Sequence, residues 1–407
     1  MKAILLPIGL TVLAAPWTAE PTFTLASPHQ ERVVGQLIRL NPDWTATVAT
    51  ERGEQTLTDV FSLYRTDQPA PAPPTGPHLI TTLGERIAGT LSGGDAQTLR
   101  FRPSGILLKP NEAWKIPLSA ATALWLSSTP ADTPLDPTRY DWVGENRNRD
   151  VLRFRNLDLV RGTLEGVAPE AVPVAFRFRS EQGSLRSVGS DELAAIVFNP
   201  TLARTRKPKG PYARMVLTDG TRLALVKLSV NRGLLSGETL YGDQVVLSLH
   251  SLVSLQLMQG QAVYLSDLKP QKVQQSGFLG VAWPWVADRG VGELPLRLRT
   301  SVGESTYDKG LGTHPRTVLS YALNGKYRWF EALVGLAPDG AGGQAVVRVL
   351  VDGQVQAIPG LSKLSADHAV PVRIDLRGAK ELTLEIDFGP TGGVLADVNW
   401  ADARLVE

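Results

Sequence analysis

Tyr307-Asp308-Lys309-Gly310-Leu311-Gly312-Thr313-His314 is the stretch on which the reading of this chain turns. Two glycines alternate with small and apolar residues and leave His314 at the end of a tight segment, which suits a loop end better than mid-strand. Outward from it run Val318-Leu319-Ser320-Tyr321-Ala322-Leu323, Gly325-Lys326-Tyr327-Arg328-Trp329-Phe330, Val346-Val347-Arg348-Val349-Leu350-Val351-Asp352-Gly353 and Leu382-Thr383-Leu384-Glu385-Ile386-Asp387-Phe388-Gly389. The chain closes with Asp397-Val398-Asn399-Trp400-Ala401-Asp402-Ala403-Arg404-Leu405. Short apolar-alternating runs separated by Asp-Gly and Asn-Gly predict seven or eight antiparallel strands, as in a jelly-roll sandwich.

Upstream, from about residue 30 to 260, the texture is also all-β, but repetitive. Arg86-Ile87-Ala88-Gly89-Thr90-Leu91 and Leu159-Val160-Arg161-Gly162-Thr163-Leu164 each precede an Arg/Phe strand and a return strand. Thr221-Arg222-Leu223-Ala224 opens a third copy, and a fainter one starts at Val33-Val34-Gly35-Gln36-Leu37. Each reads as a hairpin, a strand and a return strand within a small bent barrel or sandwich half. The expected organisation is residues 1–19 as an export signal, 20–77 β-rich with a Pro-rich linker at its end, 78–205 repeated β units, 206–260 a further unit, and 261–407 the sandwich. The linker, Gln68 to Pro77, carries five prolines in ten residues, which excludes a central strand.

Composition narrows the function. Lys+Arg number 42 against Asp+Glu 40, with no basic stripe, which argues against nucleic acid. There is no cysteine, hence no disulfide, thiolate metal site or Cys nucleophile. Lys2 followed by the apolar run Ala3 to Ala15 reads as a secretory signal, too short for a membrane span. The mature chain is expected outside the cytoplasm, secreted or in the periplasm or envelope, without a transmembrane span. No nucleophile elbow, zinc-protease motif, P-loop or dinucleotide fingerprint is present, and the five histidines lack metal-ligand spacing.

The order Tyr-x-Lys-Gly-Leu-Gly-Thr-His, Gly-Lys-Tyr-x-x-Phe, Val-Gly-Leu, Val-Asp-Gly and Asp-x-x-Trp-Ala-Asp-Ala-x-Leu resembles the NPCBM family, with Tyr264-Leu265-Ser266-Asp267-Leu268 similar to its lead-in strand. The resemblance covers the C-terminal third. It implies a galactose-binding-like β-sandwich that binds carbohydrate and is often appended to glycoside hydrolases. The fold class expected is therefore all-β, a C-terminal jelly-roll sandwich preceded by repeated small β-barrel or sandwich-like units.

Sugar modules set an aromatic face against the ring and surround the hydroxyls with fixed donors and acceptors. Tyr307 and Trp400 are the candidate platforms, with core packing in an alternating terminal strand the other reading of Trp400; Trp283 and Trp285 can line the same rim or plug the sandwich from below. Lys309 and His314 are candidate hydroxyl partners or fasteners of the turn. Asp397 can accept from a hydroxyl, ligate Ca2+ with backbone carbonyls, or hold the turn; no other cofactor is implied. The Tyr307–His314 and Asp397–Trp400 segments are expected to meet at one rim. The function so read is non-catalytic glycan binding. Its alternatives are a structural or protein-interaction protein without sugar affinity, and a divergent glycoside hydrolase.

Overall fold

The computed structural model describes residues 20–107, 112–128, 140–143, 148–168, 171–205, 208–277, 283–339, 343–364, 368–390, 392 and 394–407. The expected export signal, 1–19, lies outside them. The described residues are all-β, and their helical turns are three-residue 3-10 segments.

Four five-stranded units occupy 22–65, 78–125, 150–197 and 212–258. In each, the first four strands pair in sequence and the fifth returns to pair antiparallel with the first. The second strand carries a register shift in every unit, at Leu37/Arg39, Leu91/Gly93, Leu164/Gly166 and Val226/Ser229. A bulge there bends an eight- to ten-residue strand so that the unit can curl upon itself. Closing strands then join the units in pairs. Ala121–Trp125 lies against Leu193–Val197, and Leu252–Met258 against Ser62–Arg65.

The strand absent from the sequence reading is the first of each unit. His78–Thr81 is buried at every position. In that second unit a strand covered on both faces has no polar face to reveal it by alternation.

Residues 262–406 form the sandwich. One sheet runs Val286–Ala287, Gly310–Thr313, Val398–Val406, Trp329–Leu336, Val370–Asp375, with Ala262–Tyr264 also on the Val398–Val406 strand. The other runs Lys272–Gln275, Thr317–Ala322, Glu381–Phe388, Ala345–Val351, Gln354–Val355. A separate hairpin joins Leu296–Thr300 to Gly303–Tyr307. Edge strands of two to four residues and this hairpin raise the strand number above the seven or eight expected. Leu319, Phe330, Val347, Leu384, Trp400 and Leu405 fill the space between sheets.

Every residue of Val398–Val406 is buried, because its second face meets the 296–307 hairpin at Asn399 and Ala401 and the N-terminal units at Asp402 and Arg404. Asp402 accepts from the Tyr64 hydroxyl at 2.5 Å and from Gln256 Nε2 at 2.7 Å, and Arg404 donates to Ser62 Oγ at 3.0 Å. The Pro-rich run is not a free tether. Ala70 N donates to Ser305 Oγ, Ala70 O accepts from Thr306 N, and Pro71 O accepts from Arg222.

Candidate functional site

The eight residues from Tyr307 to His314 divide their work along the strand they build. Gly310 has φ +146° and a Cβ there would stand 2.1 Å from the Trp400 carbonyl oxygen; one on Gly312 would stand 2.4 Å from the Arg289 carbonyl oxygen. Both glycines are thus required by close backbone approach. Thr313 Oγ1 accepts from the Trp400 indole at 3.2 Å and donates to Val398 O at 3.0 Å. The buried indole N–H is thereby satisfied.

Trp400 is fully buried. It is core, not a platform, because the bulge near Asp402 places Trp400, Ala403 and Leu405 on the face turned to the opposite sheet. Lys309 is also withdrawn. Its ammonium bonds Asp267 at 2.6 Å and Asp288 at 2.7 Å and lies over the Tyr264 ring. Those contacts tie the lead-in segment to the strand and leave its side chain 5% exposed. Tyr307 packs against Leu296, Leu298 and Ala401 under the hairpin, and burial pushes its phenol well above the ordinary range. At ~3.4 Å per residue, the strand separates Lys309 from His314 by roughly 17 Å. Tyr307 and Lys309 therefore lie at one end of the sheet and His314 at the other.

At that other end His314 and Asp397 do meet, Nδ1 to Oδ1 at 2.7 Å. Both are partly exposed, the side chains at 18% and 33%. Asp397 is held from behind, its carbonyl accepting from Ala337 N at 2.9 Å. An ionised carboxylate only accepts, so His314 donates from Nδ1 and turns Nε2 outward as an acceptor when neutral. Trp283 stands beside them, 51% exposed, its ring 6.3 Å from the imidazole and tilted by 46°. Gln275 Nε2 fixes the Trp283 carbonyl at 2.9 Å and Thr317 Oγ1 at 3.2 Å. Trp285 instead packs against the sandwich core.

Arg316, two residues after His314, lays its guanidinium over Phe388 at 5.1 Å. Sequence reasoning passed over it; only its adjacency to His314 signalled a place on the rim. Among the described residues no group of three or more His, Cys, Asp or Glu is placed to hold a metal ion, so Asp397 has no carboxylate companions for calcium there.

A cavity of about 350 Å3 lies away from this rim, at the buried end of the sheet, lined among others by Tyr64, Tyr307, Asp402 and Arg404. Burial raises the pKa of Asp402 and of Tyr64. Glu331 behaves otherwise: burial would raise it, but Arg404, Arg32 and Arg373 hold it below the usual carboxylate range.

No curated protein matches the chain. Among solved structures it is similar to a CBM51 from Clostridium perfringens GH95 in complex with methyl-galactose, at 24% identity over 36% of this chain and 99% of that one, TM-score 0.33. It is also similar to the CBM51-2 and INT domains of Clostridium perfringens ZmpB in complex with GlcNAc, at 23% identity over 43% of this chain and 36% of that one, TM-score 0.33; the chain spans about a third of that protein. Tandem CBM51 modules of a family 98 glycoside hydrolase from Streptococcus pneumoniae match at 14% identity over 68% and 92%, TM-score 0.31. The family model described as NPCBM/NEW2 domain matches residues 261–406. The C-terminal third of the chain, from the lead-in strand to the last residues of the buried closing strand, is an NPCBM/NEW2 domain.

Proposed function

We propose that this protein is exported by residues 1–19 and binds a glycan, without catalysis, at the rim formed by Trp283, His314, Arg316 and Asp397. The observation that carries the reading is the exposed Trp283 face beside an imidazole oriented by a carboxylate. The indole offers an apolar surface to a pyranose ring, Nε2 of His314 accepts from one hydroxyl, and the free Asp397 oxygen accepts from another. The family match is consistent with this use of the domain. The four β units serve as a rigid mount, fastened by buried polar contacts.

A glycan array probed with the full chain identifies the sugar. Calorimetric titration of that sugar then tests the rim. His314→Ala is expected to weaken binding by roughly 1–2 kcal/mol through lost hydroxyl contacts, and Trp283→Ala by a similar amount. Neither should shift the melting temperature. Unchanged affinity in both variants would remove the rim from the account. A protein partner at the same place is the second reading, favoured by Val394 and Leu395, 74% and 51% exposed in the loop ending at Asp397. It predicts an array without hits.

A further inference from the structure

Three parts of the chain converge away from the rim: the second unit through Arg86 and Thr122, the fourth through Arg214 and Arg222, and the C-terminal domain through Arg289 and Asp308. They enclose a cavity of about 340 Å3, within the roughly 300–1,000 Å3 of small-molecule sites. We propose that this junction is a binding pocket for an oxyanion, with the carboxylate of an acidic monosaccharide as its ligand class.

The charge count points that way. Four guanidiniums line the cavity against two carboxylates, Asp288 and Asp308. Both carboxylates are already engaged. Asp308 faces Arg222 at 3.2 Å and Arg214 at 3.8 Å. Asp288 holds Lys309 at 2.7 Å and accepts from Gly310 N at 3.2 Å. Arg222 is filled as well, donating to Gly220 O at 2.6 Å and Pro71 O at 2.5 Å.

Arg86 is the cation left over, with no ion pair among the described residues. Burial holds it below the usual guanidinium range; Arg222 and Arg289 add to that, against the opposing pull of Tyr140 and Asp308. A carboxylate entering here would take two parallel N–H bonds from the Arg86 fork and relieve the repulsion. Thr122 and Thr306 also line the cavity and bring hydroxyl groups that suit those of a sugar.

The site is separate from the rim and does not rest on it. The test is calorimetric titration of the full chain, at fixed ionic strength, with galacturonate, glucuronate and sodium sulfate, and with galactose and glucose as neutral controls. At least one uronate should bind and the neutral sugars should not compete. Arg86→Gln should weaken the uronate roughly tenfold or more, while Trp283→Ala leaves it unchanged. Arg86→Lys, keeping the charge without the fork, should fall between. No binding of either uronate by the unmodified chain overturns the proposal, whatever the variants do. So does uronate binding that Arg86→Gln leaves intact, or binding of sulfate alone.

Discussion

His78 shows how far one residue's surroundings can move it. It is 1% exposed, its Nδ1 contacts Gly76 O at 2.6 Å, and its ring stacks on Trp125. Burial pushes its pKa down to about 4, whereas an unfolded histidine titrates near ~6.5. Between these values the unfolded chain takes up a proton that the folded chain refuses, so stability falls as pH drops through that window. The full effect is about 3 kcal/mol at ~1.4 kcal/mol per unit. His78→Gln should flatten the dependence of the urea midpoint on pH between 6.5 and 4; an unchanged slope would mean that other groups set it. At this scale the sequence was partly legible. The order of residues around His314 and Asp397 marked a real pair, since two loop ends of a sandwich share a rim. Lys309 was not legible, because its partners Asp267 and Asp288 lie 42 and 21 residues away. The depth of Trp400 was legible from the alternation of the terminal strand, whereas the bulge beside Asp402 was not announced by spacing.

At the scale of the element, the four units keep one packing rule with the parts exchanged. Gly35, Gly89 and Gly162 leave room for Val48, Phe101 and Phe178 on the neighbouring strand, whose side chains would stand 2.6–2.8 Å from a Cβ there. In the fourth unit the glycine has crossed over. Leu225 occupies the glycine position, and Gly237 on the facing strand leaves it space, with Leu225 Cδ1 3.1 Å from where a Cβ would be. The segment from Thr221 to Ala224 therefore lacks the motif's glycine, which stands on the other strand. Gly237→Phe alone should overpack the unit by about 1–3 kcal/mol, and Leu225→Gly alone should hollow it by about 2–5 kcal/mol. Together they rebuild the arrangement of the second and third units. A double-mutant cycle by urea unfolding should therefore give a favourable coupling above ~1 kcal/mol; simple additivity would refute the exchange.

Across the whole molecule, the sandwich and the N-terminal units are joined by buried charge as well as apolar contact. Glu331, with its side chain 2% exposed, receives Arg404 at 3.0 Å, Arg32 at 3.3 Å and Arg373 at 3.5 Å. Arg32 comes from the first unit, and Phe61 of the same unit lies under the Arg404 guanidinium at 4.6 Å. Arg404→Met removes the nearest partner of a buried carboxylate, which should cost about 3–5 kcal/mol. Adding Glu331→Leu should recover much of that loss, as measured by thermal melts of the full chain. A single variant as stable as the parent would show that the carboxylate is not held by this network. The sequence marked a change of texture near residue 260, but not this joint, since the paired groups lie 299 and 73 residues apart.

The most direct test of the central claim follows the tryptophan indole resonances of the full chain, labelled with 15N-tryptophan, during titration with the glycan selected by array. Trp283→Phe assigns the Trp283 signal. The rim account predicts that this signal moves to saturation with the sugar while the buried Trp400 indole, bonded to Thr313, stays in place. Saturable binding that leaves Trp283 unmoved would contradict it.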